Sequence, residues 1–160
     1  MRNLNIVLFT DGSCNFNPGP GGFGVIGLND DAEVIYAYSK KATKTTKNRM
    51  ELFAILHVMQ RFGDCKTPLT VYSDSTYAVK TFSEWMFAWA AKGWKTARNH
   101  TPENLDIVKE YYNLYQKGYR LNLIHVRGHN RIFGNELADK LATGKITPEE
   151  VLEKYGRKNK

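Results

Sequence analysis

Short apolar runs punctuated by turn residues open this chain and predict a sheet. Three strands are predicted first, over residues 4–10, 23–28 and 33–39, because these runs have strand-like alternation and are separated by Gly, Pro, Asn and Asp. Their order along the chain predicts an antiparallel meander. Two later runs predict further strands over residues 69–73 and 119–126.

Helical patterns fill the intervals after the third strand. The longest helix is predicted over residues 49–62, with Asn48 as its N-cap and Gly63 as its end. Further helices are predicted over residues 75–91, 103–117 and 135–143, and a short one from Thr147. Helices between the last three strands force crossovers and parallel pairing. We therefore expect an α/β fold: a five-stranded mixed sheet flanked by helices, in the order βββαβααβα.

The composition is that of a globular domain with an excess of basic residues. The chain has 160 residues, 42% of them hydrophobic, and its 23 Lys and Arg against 16 Asp and Glu give a net charge of +7. Residues 81–160 carry 14 basic and 9 acidic side chains, so most of the excess lies there. The excess favours a polyanionic partner such as nucleic acid, although solubility alone would also account for it.

Several classes of protein are excluded. Cys14 and Cys65 are the only cysteines, so neither a disulfide framework nor a Cys-rich zinc site is possible. The apolar run at residues 6–9 is too short for a signal peptide or a membrane span. We expect a cytoplasmic monomer with no membrane contact and no obligate protein partner. Residues 1–145 are expected to form one domain, followed by a short helix and a loose basic tail over residues 146–160.

Four acidic residues lie where strand ends and helix faces can bring them together. Asp11 and Asp74 each follow an apolar run. If the two strands are parallel neighbours, both carboxylates lie at the same edge of the sheet. Glu51 lies on the apolar face of the longest helix, and Asp139 lies on the helix after the last strand. Each also has a structural interpretation: a turn for Asp11, an N-cap for Asp74, a capping-box contact for Glu51 and a solvated position for Asp139.

Convergence of these carboxylates would indicate a metal site. Two carboxylates about 5 Å apart repel by about 3 kcal/mol at an effective dielectric of about 20, so a cluster requires neutralising cations. Oxygen ligands suit Mg²⁺ or Mn²⁺ rather than zinc. Two such ions about 3.5–4 Å apart are the arrangement that cleaves phosphodiesters by in-line displacement.

Six motifs in this order and spacing resemble those of one family, type 1 ribonuclease H of the bacterial sort. They occupy residues 10–13, 17–22, 48–52, 73–75, 85–96 and 128–139. The resemblance extends over about residues 4–142. It implies an endonuclease that cuts the RNA strand of RNA/DNA hybrids, uses two Mg²⁺ ions (Mn²⁺ is also suitable), and leaves 5′-phosphate and 3′-hydroxyl ends. The early start of the first strand predicts no additional N-terminal hybrid-binding domain.

The resemblance also implies roles for individual residues. By position, Asp11, Glu51, Asp74 and Asp139 match the four metal-binding carboxylates of the family, whose catalytic centre they form. His129 matches a loop histidine that helps proton transfer or product release, and its ordinary pKa suits that role. Taken alone, a loop histidine is also an ordinary surface residue.

Seven further residues are candidate substrate contacts. Four resemble contacts to the hybrid, where selection of RNA requires the 2′-hydroxyl to be sensed: Gly12, Ser13, Asn17 and Asn48. Three lie in the aromatic and basic segment and are expected to meet the DNA strand: Lys92, Trp94 and Lys95. Trp85 and Trp89, at i and i+4 on a helix, are interpreted as core residues instead.

The sequence departs from the family pattern at two positions, and two alternative functions are compatible with the fold. Lys47 stands where relatives commonly have Asn, and Thr76 where they commonly have Gln. Both departures, and a less basic segment around Lys95, bear on substrate affinity and cut-site preference. The alternatives are a DNA-strand transferase or resolvase of the same fold, and a nucleic-acid-binding domain without catalysis. The sequence at residues 17–22 argues against the first, and the four carboxylates argue against the second.

Overall fold

A five-stranded sheet with helices on both faces forms this protein, in a computed structural model that describes residues 2–127 and 132–157. The strands are β1 (Val7–Cys14), β2 (Gly19–Leu28), β3 (Val34–Thr45), β4 (Leu69–Ser73) and β5 (Leu121–His125). The helices are α1 (Lys47–Phe62), α2 (Thr76–Lys80), α3 (Met86–Ala91), α4 (Leu105–Gln116), α5 (Phe133–Thr143) and α6 (Pro148–Tyr155), with a π-helical turn, Thr81–Trp85, between α2 and α3. The expected α/β fold class is confirmed.

The strand order is β3-β2-β1-β4-β5, and both kinds of pairing occur as expected. The first three strands pair antiparallel through short connections. β4 pairs parallel with β1 and with β5, because a helical crossover precedes each of these pairings. β1 therefore lies at the centre of the sheet, beside the first strand of the parallel half.

Alternation along the central strands supplies a core on each face of the sheet. Leu8 and Val25 point towards α1 and pack with Val58. Their neighbours Phe9 and Ile26 point to the other face, where they pack with residues of α5 and α6 such as Leu137, Leu141 and Val151. The period of two in a strand therefore anchors helices on both sides of β1. No helix within the described residues is long and apolar enough to cross a membrane.

A third core cluster lies on the far side of α1 and includes Ala78, Phe82 and Met86, all 2% exposed or less. These three residues form the buried stripe of the segment predicted as one helix. Trp85 lies one position away from that stripe and is 37% exposed, so its interpretation as a core residue is wrong. Trp89 is half-buried against the same cluster.

Several element boundaries differ from the sequence-based prediction. The N-cap of α1 is Thr46 rather than Asn48, because the Thr46 side chain accepts the backbone N–H of Arg49 at 3.1 Å. β1 continues through Asp11 to Cys14, because β2 pairs with it as far as Gly21. The polar residues 40–45 continue β3, since an edge strand can point polar side chains into solvent.

The C-terminal helix is confirmed, with a capping box at its start. The Thr147 hydroxyl accepts the Glu150 N–H at 3.1 Å, and the Glu150 carboxylate accepts the Thr147 N–H at 3.0 Å. The tail expected to be loose from residue 156 is held at its beginning. Gly156 is buried and bridges to Val34, and Arg157 lies 3.8 Å from Glu33.

Candidate active site

Asp11 and Asp74 lie side by side at the edge where the parallel pairing of β1 and β4 ends. The last pair of that ladder is Thr10 with Ser73, and each aspartate is the next residue of its chain segment. Asp74 follows its strand as expected, whereas Asp11 does not end β1 and faces Gly24 of β2. The expected meeting at one sheet edge is nevertheless observed, because the parallel ladder stops there.

Glu51 reaches this edge because α1 lies directly on the backbone of Gly12. A Cβ on Gly12 would lie 2.7 Å from the carbonyl carbon of Met50, which is closer than packed atoms allow. This contact sets α1 against β1 and buries Glu51 to 1% exposure beside Asp11. A glycine after Asp11 is therefore required by packing between the two elements.

Three carboxylates converge at this point. One oxygen from each of Asp11, Glu51 and Asp74 lies within 4.8 Å of the others. Glu51 Oε1 and Asp74 Oδ1 are buried and have no hydrogen-bond partner among the described residues. Buried anionic oxygens without partners are costly, and hard divalent cations are the ions that take such a set of oxygens as ligands. The donor set therefore fits a magnesium-type ion.

Asp139 faces the same site from the opposite side of the sheet. α5 approaches β2 at Gly24, where a Cβ would lie 2.6 Å from the Cβ of Leu141. Asp139 is exposed and lines a cleft of about 210 Å³ together with Asp11 and Asp74. It lies outside the group of three, but its carboxylate opens onto the same space.

The electrostatics of the cluster oppose full ionisation. Burial raises the pKa of the Asp11 carboxyl well above its usual range, and the charges of Glu51, Asp74 and Asp139 raise it further. Burial also raises the pKa of Glu51, while the neighbouring Lys47 ammonium opposes the increase. A bound cation would stabilise the ionised carboxylates and so oppose both the effect of burial and the mutual repulsion.

Lys47 contributes an ammonium group to the cluster that the sequence did not predict there. Its Nζ donates to Glu51 Oε2 at 3.2 Å and to the carbonyl oxygen of Gly12 at 2.9 Å. Burial disfavours the charged amine, but the carboxylates of Glu51 and Asp11 outweigh this effect and raise the pKa of Lys47. The i,i+4 spacing of Lys47 and Glu51 was the signal available in the sequence.

Two structural interpretations of the acidic residues are wrong. Ser75, rather than Asp74, caps α2, because its Oγ accepts the Ala78 N–H at 3.0 Å. Glu51 makes no capping-box contact, since α1 is capped by Thr46 and the Glu51 side chain bonds Lys47 instead. Neither carboxylate is therefore needed for helix capping.

The model of the RNase H family matches residues 3–147. This chain belongs to the RNase H family. Among curated members, the Ribonuclease H of Orientia tsutsugamushi (strain Boryong) is 36% identical over 152 residues, covering 94% of this chain and 88% of the relative. The Ribonuclease H of Francisella tularensis subsp. novicida is 38% identical over 146 residues, covering 91% and 93%. The resemblance inferred from the motifs is confirmed, and as a member of this family the protein is an RNase H enzyme.

Solved structures of RNase H proteins share the fold. LC9-RNase H1, a type 1 RNase H with the type 2 active-site motif, is 27% identical with a TM-score of 0.75, and the match covers 92% of this chain and 75% of that one. LC11-RNase H1, solved in complex with an RNA/DNA hybrid, is 23% identical with a TM-score of 0.62, covering 86% and 94%. The second likeness supports the fold alone.

The substrate residues predicted near the site lie around the start of α1. Asn17 is exposed, and its side-chain oxygen accepts the backbone N–H of Lys47 at 3.0 Å, which ties the β1–β2 loop to the helix. Asn48 is exposed on the first turn of α1, and Ser13 is half-buried on β1. Gly12 is buried under α1. His129 lies outside the described residues.

The aromatic and basic segment forms an excursion between α3 and α4. Lys92 is exposed, whereas Trp94 is half-buried and packs edge-on against Tyr112 with the ring centroids 5.1 Å apart. Lys95 Nζ lies 3.3 Å from the Thr101 hydroxyl across the loop. Trp94 thus also fastens the excursion to α4, while Lys92 is exposed on it and Lys95 is half-buried.

Three groups beside the carboxylates were missed by sequence reasoning. His125, at the end of β5, has its Nε2 within 3.0 Å of the Thr76 hydroxyl and 3.2 Å of the Asp74 carbonyl oxygen. Asn135 and Lys140 line the cleft with Asp139, and the Asn135 side-chain oxygen is buried without a partner among the described residues. A tertiary contact alone brings His125 to Thr76, so no local pattern pointed to it.

Proposed function

We propose that this RNase H is an endonuclease that hydrolyses the RNA strand of RNA/DNA hybrids, with two divalent ions held by Asp11, Glu51, Asp74 and Asp139. Cleavage is at the bond between phosphorus and the 3′ oxygen, so the products carry 5′-phosphate and 3′-hydroxyl ends. Mg²⁺ is the proposed ion, and Mn²⁺ is also suitable. The relatives named above are ribonucleases H, and one neighbour binds an RNA/DNA hybrid.

The observation that carries this proposal is the convergence of three buried or half-buried carboxylates. Asp11, Glu51 and Asp74 offer oxygens within 4.8 Å of one another, and Asp139 opens onto the same cleft. Glu51 Oε1 and Asp74 Oδ1 are buried with no hydrogen-bond partner among the described residues, which is costly unless a cation occupies the site. A nucleic-acid-binding domain without catalysis has no need for such a cluster.

The chain's own residues bind and orient the reacting groups. Divalent ions bound here would activate a water and neutralise charge on the leaving 3′ oxygen. Asp11 and Asp74, held by the end of the parallel ladder, fix the donor positions, and the buried Glu51 keeps its oxygens away from bulk water. We propose that His129 delivers a proton to the leaving oxygen or aids product release. The pKa of a free histidine side chain is near neutral, which suits proton transfer.

The proposed substrate surface extends from the site in two directions. Gly12, Ser13, Asn17 and Asn48 are proposed to contact the RNA strand near the start of α1, where the 2′-hydroxyl is sensed. Lys92, Trp94 and Lys95 are proposed to contact the DNA strand from the excursion between α3 and α4. We also propose that the protein acts as a cytoplasmic monomer, with residues 1–145 as the catalytic domain.

The decisive assay compares cleavage of three labelled duplexes: an RNA/DNA hybrid, double-stranded RNA and double-stranded DNA. We expect cleavage of the RNA strand of the hybrid alone, with Mg²⁺ present, and none in EDTA. Treatment of the products with phosphatase and with polynucleotide kinase identifies their ends. Cleavage that spares the hybrid, or that continues in EDTA, would reject the proposal, and joining or cutting of DNA would favour a strand transferase or resolvase.

Lys95→Ala is expected to weaken hybrid binding and to flatten its salt dependence. A side chain that neutralises one phosphate contributes about one unit to the slope of log affinity against log salt concentration. Binding is measured in Ca²⁺ at several salt concentrations, with Lys66→Ala as the control, since Lys66 is exposed just before β4, at the end of that strand remote from Asp74. A slope equal to that of wild type would show that Lys95 makes no phosphate contact.

A further inference from the structure

Lys47 places a positive charge where the helix itself disfavours one. It is the first residue of α1, and the free backbone N–H groups at a helix start favour anions over cations. The first turn of α1 has no acidic residue to hold the ammonium. The group that holds it is Glu51, one turn further along the helix.

The side chain of Lys47 runs over the surface and directs its charge inwards. It is 58% exposed, whereas its partner Glu51 is 1% exposed, so a largely exposed side chain brings its ammonium to a buried carboxylate. The second contact, at 2.9 Å, is to the carbonyl oxygen of Gly12, which adjoins Asp11. The ammonium is therefore part of the carboxylate cluster and does not form an ordinary surface ion pair.

We propose that Lys47 is a tethered counter-ion that weakens divalent-ion binding to the free protein and stabilises the ion-free fold. This inference rests on the proposed ion site and adds a residue that tunes it. A cation that binds Glu51 must do so beside a positive charge 3.2 Å from that carboxylate, or displace it. The same charge offsets repulsion among Asp11, Glu51 and Asp74 when no ion is bound.

Lys47→Asn tests the proposal without substrate or turnover. Binding of Mn²⁺ to the free protein is followed by the loss of the free-ion paramagnetic resonance signal, and thermal unfolding is followed in EDTA. We expect the Kd for Mn²⁺ to fall by about tenfold and the Tm in EDTA to fall by a few degrees. Lys47→Arg, which keeps the charge, is expected to bind Mn²⁺ as wild type does.

Lys44→Asn is the matched control, because it removes the same charge from an exposed position of β3. It should leave both the Kd and the Tm unchanged. Equal Mn²⁺ affinity in wild type and Lys47→Asn, or an equal gain in Lys44→Asn, would overturn the assignment while leaving the ion site intact. Absence of Mn²⁺ binding in all of these proteins would instead reject the proposed ion site, and this inference with it.

Discussion

Asp11→Asn is expected to reduce the rate of hybrid cleavage to below about one thousandth of wild type while the protein stays folded. Asp11 is repelled by all three of the other carboxylates, since the charges of Glu51, Asp74 and Asp139 each raise its pKa. Asn keeps the shape of the side chain and removes one anionic oxygen from the site. Single-turnover cleavage at saturating Mg²⁺, with circular dichroism as a check on folding, measures the effect. Asp74→Asn should behave in the same way.

The same substitution is expected to stabilise the protein in EDTA, and increasingly so at higher pH. The Asp11 pKa in the folded state lies above its ordinary value of 3.8, so the folded state binds more protons than the unfolded state. The stability of the wild type therefore falls as the pH rises from about 4, and Asn removes the part of that dependence that Asp11 contributes. A gain of about 1 kcal/mol would raise the Tm by roughly 2–4 °C in a protein of this size.

Asp31→Asn provides the control for both measurements. Asp31 is exposed in the turn between β2 and β3, at the opposite edge of the sheet, and its replacement removes the same charge. It should change neither the cleavage rate nor the dependence of Tm on pH. A wild-type rate in Asp11→Asn or Asp74→Asn would show that the carboxylate is not needed for catalysis.

Gly12→Ala is expected to lower the cleavage rate by about a hundredfold or more and to destabilise the protein by about 1–3 kcal/mol. The added methyl group would meet the backbone of α1 at Met50 and Glu51, and a backbone cannot move aside as a side chain can. α1 must therefore shift away from β1, which carries Glu51 away from Asp11. Urea unfolding gives the stability, and cleavage is measured at a temperature where the variant remains folded.

Ser13→Ala separates this effect from simple disturbance of the strand. Ser13 is the next residue of β1 and already has a Cβ, so its replacement adds no atom against α1. Its stability should stay within about 0.5 kcal/mol of wild type. If Gly12→Ala lost stability but kept the wild-type rate, Gly12 would serve packing without positioning Glu51.

Local patterns in the sequence predicted the element order and the chemistry of the site. Alternating apolar residues around Leu8 and Val25 define strands whatever lies across from them, because the period of two is a property of the strand. The helix at Glu51 follows from a period of 3.6 in the same way. Motifs at Asp11, Glu51, Asp74 and Asp139 matched the family in order, and membership of the RNase H family is confirmed.

Two of the errors lie where distant segments meet. Asp11 was expected to end a strand because Asp-Gly is a turn sequence, but pairing with β2 continues the strand to Cys14. Trp85 was expected in the core, but the buried stripe through Phe82 and Met86 leaves it exposed. In both cases a partner elsewhere in the chain outweighed the local preference.

The close contacts of the site depend entirely on how the elements pack. Lys47 and Gly12 are 35 residues apart, and His125 and Thr76 are 49 apart, yet each pair is in hydrogen-bond contact. Gly12 lets α1 pack directly on the backbone of β1, a role that follows from the short distance between these two elements. The backbone geometry of a strand or helix sets its periodicity, so the pattern of apolar residues along the chain reveals it. Distances across the fold follow from the balance of many packing contacts at once, and no single stretch of residues encodes them.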